Sequence, residues 1–243
     1  LPALPMEAHA ETVASGTCGA QGDNLTWTLD ENGTLTISGL GDMCDYENSP
    51  WNNYYVKTVV IENGVTSIGD YAFNWCEDLN SVEIPDSVTN IGECAFKYCA
   101  DLTEVKIADT NPNYSSDQYG VLFNKDKTTL ISCPIGKTGT YEIPDSVIHI
   151  GEAAFENCNG LTSVKIGNSV TSIGAAAFRF CSSLTEIKVA EDNQSYSNDQ
   201  HGVLFNKDKT TLVWCPDGKT GTYEIPDSVT SIGEKAFEYC SCL

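Results

Sequence analysis

The side chains of this 243-residue chain with the clearest chemical potential are 11 cysteines, three histidines and 34 aspartates and glutamates. A His-based triad needs a histidine placed to act as base, and a zinc site needs Cys or His ligands at short spacings. Neither pattern is present. His9, His149 and His201 lie in unrelated local contexts, and no C-x-x-C pair occurs. The chain also lacks a Gly-rich phosphate loop, a G-x-S-x-G elbow and an H-E-x-x-H helix motif. Asp23 to Glu31 carries several oxygen-bearing side chains but not the alternating acidic spacing of a calcium loop. Every Pro-Asp copy falls at a turn, where aspartate serves the backbone. No catalytic residue, metal ligand or cofactor is assigned, and the chain is expected not to be an enzyme. A formal net charge of -21 argues against a nucleic-acid partner, since phosphate binding draws on clustered Lys and Arg. No apolar run approaches the roughly 20 residues of a membrane-spanning helix.

The spacing of the thiols says more than their number. Cys76 and Cys99 are 23 residues apart, as are Cys158 and Cys181, Phe73 and Phe96, and Phe155 and Phe178. Ile61, Ile84 and Ile107 keep the same interval, and so do Ile143, Ile166 and Val189. Two steps widen to 36, which gives a longer period of 82 that carries Phe73 onto Phe155 and Phe237, and Tyr114 onto Tyr196. A fixed period of this size is the mark of a stacked-repeat architecture. Six complete units run from 58 to 221. A seventh, 222 to 243, stops one residue short, an end that reads as a cut within a longer chain.

Within a unit the apolar positions read Leu79-x-x-Val82-x-Ile84, then Leu102-x-x-Val105-x-Ile107, Leu161-x-x-Val164-x-Ile166 and Leu184-x-x-Ile187-x-Val189. This alternation predicts the parallel strand of a leucine-rich repeat. Pro85-Asp86-Ser87, repeated at Pro144 and Pro226, ends the strand because proline donates no ladder hydrogen bond. A recurrent glycine follows, at 69, 92, 151, 174 and 233, marking either a left-handed backbone or a close approach between coils. Ala-Phe-x-x-Cys is expected to form a short helical turn. The string I-P-D-S-V-T-x-I-G-x-x-A-F-x-x-C-x-x-L resembles the BspA-like family of leucine-rich-repeat surface proteins over residues 58 to 243. In the two longer units, Asn-Lys-Asp-Lys between apolar runs predicts a β-hairpin in place of the helical arm.

The expected fold is therefore an α/β-type solenoid, a right-handed leucine-rich-repeat rod. It has a parallel sheet on one face, short helical turns opposite and two β-hairpin insertions. Leu25 to Leu29 and Leu35 to Ile37 alternate around an Asn32-Gly33 turn, so residues 16–57 read as an N-terminal β cap. Residues 1–15 read as a disordered tail or the remnant of a secretion signal, with Ala8-His9-Ala10 resembling a cleavage site.

Two surfaces are candidate binding sites. Between the core positions of each strand, Glu83, Glu104, Lys106, Glu142, Lys165, Glu186, Lys188 and Glu224 face outward on one continuous sheet, either as a ligand surface or as a charge ladder that stabilises the sheet. The residue before each repeat cysteine is Trp75, Tyr98, Asn157, Phe180 or Tyr239. An aromatic edge of this kind stacks on sugars, anchors a protein, or covers the arm core. Trp51, Tyr54 and Tyr55 in the cap have the same three readings. Cys76, Cys99, Cys158, Cys181 and Cys240 share one slot, to which Cys133 and Cys215 are also assigned. Stacked equivalents sit about 4.8 Å apart, against the 3.8 Å between Cβ atoms that a disulfide favours, so a ladder of buried free thiols is expected. Cys18 and Cys44 are the disulfide candidates, whereas Cys94 and Cys242 share no slot. Asn24, Asn32, Asn113 and Asn193 stand in glycosylation sequons.

The resemblance implies a secreted or cell-surface module that binds an extracellular protein of a host matrix or neighbouring cell. A structural spacer within a longer surface protein and a glycan-binding module are the other readings.

Overall fold

A computed structural model describes residues 10–243, which divide into two compact units at Cys99 and Ala100. The first unit contains β1 (Thr12–Gly19), β2 (Gly22–Asp30), β3 (Thr34–Gly39), β4 (Gly41–Asp42), β5 (Thr58–Ile61), β6 (Val65–Ile68), β7 (Ser81–Ile84) and β8 (Asn90–Ile91). β1, β2 and β3 form an antiparallel meander; β3 then pairs in parallel with β5, and β5 with β7. Register follows the alternation of apolar residues. Leu35 stands beside Val59 and Ile37 beside Ile61, all four buried, while the residues between them face out.

Each coil also carries a second short strand just beyond the turn after the first. β4, β6 and β8 form a narrow parallel sheet of their own. The coil plan thus reaches back to Thr34, into the segment that the sequence assigns to the cap. Trp51 fills the place that phenylalanine holds in later coils: it stacks on Phe73 at 5.5 Å, and Phe73 stacks on Phe96 at 5.6 Å. β1 takes in residues 12–15, so these are strand and not tail. The expectation for 1–9 lies outside the described residues.

The second unit contains β9 (Glu104–Ile107), β10 (Tyr114–Ser116), β11 (Leu122–Asn124), β12 (Thr129–Ser132), β13 (Gly139–Glu142), β14 (His149–Ile150), β15 (Leu161–Ile166), β16 (Ser172–Ile173), β17 (Glu186–Val189), β18 (Tyr196–Asn198), β19 (Leu204–Asn206), β20 (Thr211–Trp214) and β21 (Ser231–Ile232). β13, β15 and β17 form one parallel sheet. Both hairpins are present. β10, β11 and β12 run antiparallel, and β12 then continues in parallel onto β14 and β16, so the insertion joins the narrow second sheet. β18 to β21 repeat this arrangement 82 residues on. The Asn-Lys-Asp-Lys turn closes on its own asparagine: Asn124 Oδ1 accepts the Thr129 amide at 2.9 Å while Nδ2 donates to Thr128 Oγ1.

The helical arm does not form. Among the described residues there is no helix, so the expected α/β character gives way to an all-β solenoid. The backbone shows why. Tyr71 and Trp75 have φ of 56° and 63°, and Cys94, Tyr98, Ala153, Asn157, Ala176 and Phe180 repeat this left-handed conformation every four residues along their arms. A left-handed residue breaks an α-helix. The donors are satisfied between coils instead: Tyr71, Phe73 and Trp75 give their amides to Glu93, Ala95 and Lys97 carbonyls at 2.8–3.0 Å, and Ala153, Phe155 and Asn157 give theirs to Ala175, Ala177 and Arg179. The recurrent glycine marks a close approach, not a left-handed turn. A Cβ on Gly69 would stand 1.8 Å from the Cys44 carbonyl oxygen, and one on Gly174 would stand 2.4 Å from the Glu152 nitrogen.

Aromatic rings stacked across coils fill the arm. Phe155 is fully buried, 5.3 Å from Phe178 and 6.1 Å from Tyr141. Phe155→Ala should therefore cost about 3–5 kcal/mol, read as a drop in the urea midpoint, whereas Asp126→Ala in the exposed hairpin turn should stay within about 0.5 kcal/mol.

Candidate binding surfaces

The sheet-face residues point outward as their alternation requires, but the face is not one continuous ladder. In the first unit β5 and β7 present Thr58, Val60, Ser81 and Glu83, with the Ser81 hydroxyl 3.4 Å from Thr58 Oγ1. In the second unit the charges pair in two ways. Lys165 reaches across to Glu142 at 3.1 Å, the cross-strand contact that the alternating column predicts. Lys106 and Lys188 instead pair along their own strands, with Glu104 at 3.2 Å and Glu186 at 3.0 Å. Lys165 stands opposite Lys188, so a same-strand glutamate relieves a like-charge contact. The sheet also stops at β17. There the Gly202 carbonyl of the second insertion takes the Ile187 amide at 3.0 Å, and the next segment, with Thr222 and Glu224, forms no strand. An open cavity of 640 Å³ lies at this break, lined by Asp199, His201, Lys209, Tyr223 and Glu224 among others. Tyr223 donates its hydroxyl to Asp199 at 2.7 Å, and burial together with that bond raises the phenol above its ordinary range. Of these residues only Glu224 stands among the sheet-face candidates, and nothing in the local sequence marks Tyr223 and Asp199. The signal available was the 82-residue period, which makes Tyr141 and Asp117 their counterparts, also joined at 2.7 Å.

The aromatic edge resolves into two separate pairs. In the first unit Trp75 and Tyr98 stack with ring centroids 4.1 Å apart, Trp75 remaining 54% exposed. In the second, Phe180 and Tyr239 approach to 4.2 Å, and the Arg179 guanidinium lies over Phe180 at 4.6 Å while pairing with Glu238 at 3.3 Å. Asn157 occupies the same slot without a ring. Of the cap aromatics, Trp51 is wholly buried and gives its indole N–H to the Ala72 carbonyl, whereas Tyr54 and Tyr55 are exposed.

Cys76, Cys99, Cys158 and Cys181 are buried in the arm, and Cys240 is half-buried. Cys99 and Cys181 give their thiols to the Phe73 and Phe155 carbonyls of the preceding coil at 3.1 and 3.0 Å. Cys133 and Cys215 take a different slot from the one assigned to them. Their amides donate to Ala154 and Ala236, the bond that Phe155 makes to Ala177, so they occupy the phenylalanine position of the insertion-bearing coils. Cys18 and Cys44 are unbonded here, Cys44 giving its thiol to the Gly19 carbonyl at 3.0 Å. Cys94 and Cys242 are exposed. Among the described residues no group of three or more His, Cys, Asp or Glu could hold a metal ion. Asp217 is buried, accepts the Cys181 amide at 3.1 Å, and is pushed up to about 6 by its loss of solvent.

Residues 47–134, 137–201 and 217–243 match the profile described as the BspA type leucine rich repeat region, in six copies. The chain belongs to this family. None of the curated proteins matches it significantly. Among solved structures, this BspA-type chain is similar to a leucine-rich repeat protein from Eubacterium ventriosum, with 28% identity and a TM-score of 0.59 over 93% of its length. It spans 57% of that protein. It also shares its fold with a leucine rich cell surface protein from Faecalibacterium prausnitzii, at 24% identity and a TM-score of 0.50, over 96% of this chain and 70% of that one. No helix among the described residues is long and apolar enough to cross a membrane.

Burial raises the Cys76 thiol from 9.0 to about 12. The unfolded chain thus loses this proton first, so the stabilisation is fully present below pH 9.0 and is lost as the pH climbs toward about 12. Urea midpoints should fall over that interval, and Cys76→Ala, which has no thiol to ionise, should fall less steeply.

Proposed function

We propose that the chain is a secreted or cell-surface module that binds an extracellular protein, with the Trp75–Tyr98 pair as its anchor. One observation carries the proposal. Trp75 stacks on Tyr98 at 4.1 Å yet stays 54% exposed, and the φ of 63° of its slot is held by main-chain bonds, so neither core burial nor the backbone calls for a ring there. Asn157 in the equivalent slot of another coil keeps the same backbone at φ 64° without an aromatic ring. An exposed tryptophan stacked on a tyrosine is the type of group that dominates protein interfaces. The charged sheet face is the secondary surface: Lys106, Lys165 and Lys188 are already satisfied by glutamates, which leaves them a steering role more than an anchoring one. Family membership and the surface location of the Faecalibacterium relative support an extracellular setting.

A panel of purified matrix proteins and a glycan array, each probed with the full chain, tests this reading. Saturable capture of a matrix protein that weakens at least tenfold in Trp75→Asn, with an unchanged urea midpoint, is the expected result. Glycan capture lost in the same variant assigns the edge to sugars. Protein capture indifferent to Trp75→Asn but lost when Glu142 and Lys165 are exchanged moves the site to the sheet. Silence in both assays leaves a spacer.

A further inference from the structure

Stacked repeat cysteines are too far apart to bond only where they share a slot, and two pairs in the second unit do not. In a short coil the repeat cysteine faces the phenylalanine slot of the coil before, as Cys181 faces Phe155. In the two insertion-bearing coils that slot holds a cysteine instead. Cys158 therefore faces Cys133, its sulfur 3.7 Å from the Cys133 carbonyl and 3.8 Å from that of Pro134. The Cys133 thiol turns toward the same Pro134 carbonyl, also at 3.8 Å, so the two sulfurs converge on one oxygen. The arrangement recurs 82 residues on. Cys240 lies 3.5 Å from the Cys215 carbonyl and 3.8 Å from that of Pro216. In the in-register pairs, Cys76 with Cys99 and Cys158 with Cys181, the contact runs from one thiol to the other residue's backbone.

We propose that Cys133–Cys158 and Cys215–Cys240 are two disulfide sites, closed as the chain folds by thiol–disulfide exchange with a small-molecule disulfide such as oxidised glutathione. In each site a thiolate attacks the oxidant and releases one thiol, and the partner cysteine then displaces the second. An Sγ–Sγ bond forms, the two protein thiols lose two protons and two electrons, and the oxidant is reduced to two thiols. Cys240 is half-buried where Cys215 is buried, which makes Cys240 the more accessible attacking thiolate of its pair. Closure has to accompany folding, because Cys133, Cys158 and Cys215 are buried once the coils have stacked. An extracellular setting supplies the oxidising conditions.

The test is to refold the full chain, reduced and unfolded, in oxidised glutathione, alkylate it, and measure its intact mass and its peptide map without reduction. The expected result is loss of the mass of four hydrogen atoms, with the Cys133 peptide joined to the Cys158 peptide and the Cys215 peptide joined to the Cys240 peptide. Reduction should then lower the melting temperature of the bridged protein. Cys158→Ala should remove the first link and keep the second, and Cys181→Ala should keep both. The wild-type map stands even if either variant fails to fold. An unchanged mass, a link in only one of the two sites, or links between Cys76 and Cys99 or between Cys158 and Cys181 would overturn the proposal.

Discussion

A repeat coil of this chain cannot satisfy its own backbone. Its strands are two to six residues long, its arm is a run of turns, and two residues of that arm, four apart, are left-handed. Alternate amides of the arm find their acceptors one coil further on, as when Phe73 donates to Ala95 and Phe155 to Ala177. Buried donors without partners cost about 1–3 kcal/mol each, so the register between coils is fixed by many small obligations at once. The aromatic column, the parallel strand ladders and the glycines that let coils touch all follow from that register. A side chain on Gly69 would strike the Cys44 carbonyl, which would part the coils where their hydrogen bonds must form.

The repeat, the strand positions and the hairpins were legible because hydrophobic alternation and period are properties of the chain itself. Val59, Val82, Val164 and Ile187 are buried as that alternation requires. The arm was not legible. Ala-Phe-x-x-Cys has the composition of a helical turn, and nothing in it announces left-handed residues such as Tyr71 and Trp75, whose conformation is imposed by bonds to a neighbouring coil. The second sheet escaped notice for the same reason: β8, β14 and β16 are two residues long and exist only as rungs of a ladder. Trp51 read as a cap residue, since its kinship with Phe73 lies in stacking and not in spacing.

The candidate sites show a similar division. Outward direction could be read from alternation, so Glu142 and Lys165 meet as the column predicts. Continuity could not be read. The carbonyl of Gly202 takes the edge of β17, and the sheet ends where the insertion begins. The insertions thus do more than lengthen a coil. They break the charged face and move a cysteine into the slot that phenylalanine holds elsewhere, and at the second of them a cavity opens.

The slot before each repeat cysteine separates structure from display. Its backbone bonds are made by the main chain alone, and tryptophan, tyrosine, phenylalanine and asparagine all occupy it with φ within a few degrees of one another. Exchange at such a position leaves the interior untouched, so the outer edge of one coil can drift independently of the next. A lineage could retune what it touches one rung at a time, with folding indifferent to the outcome.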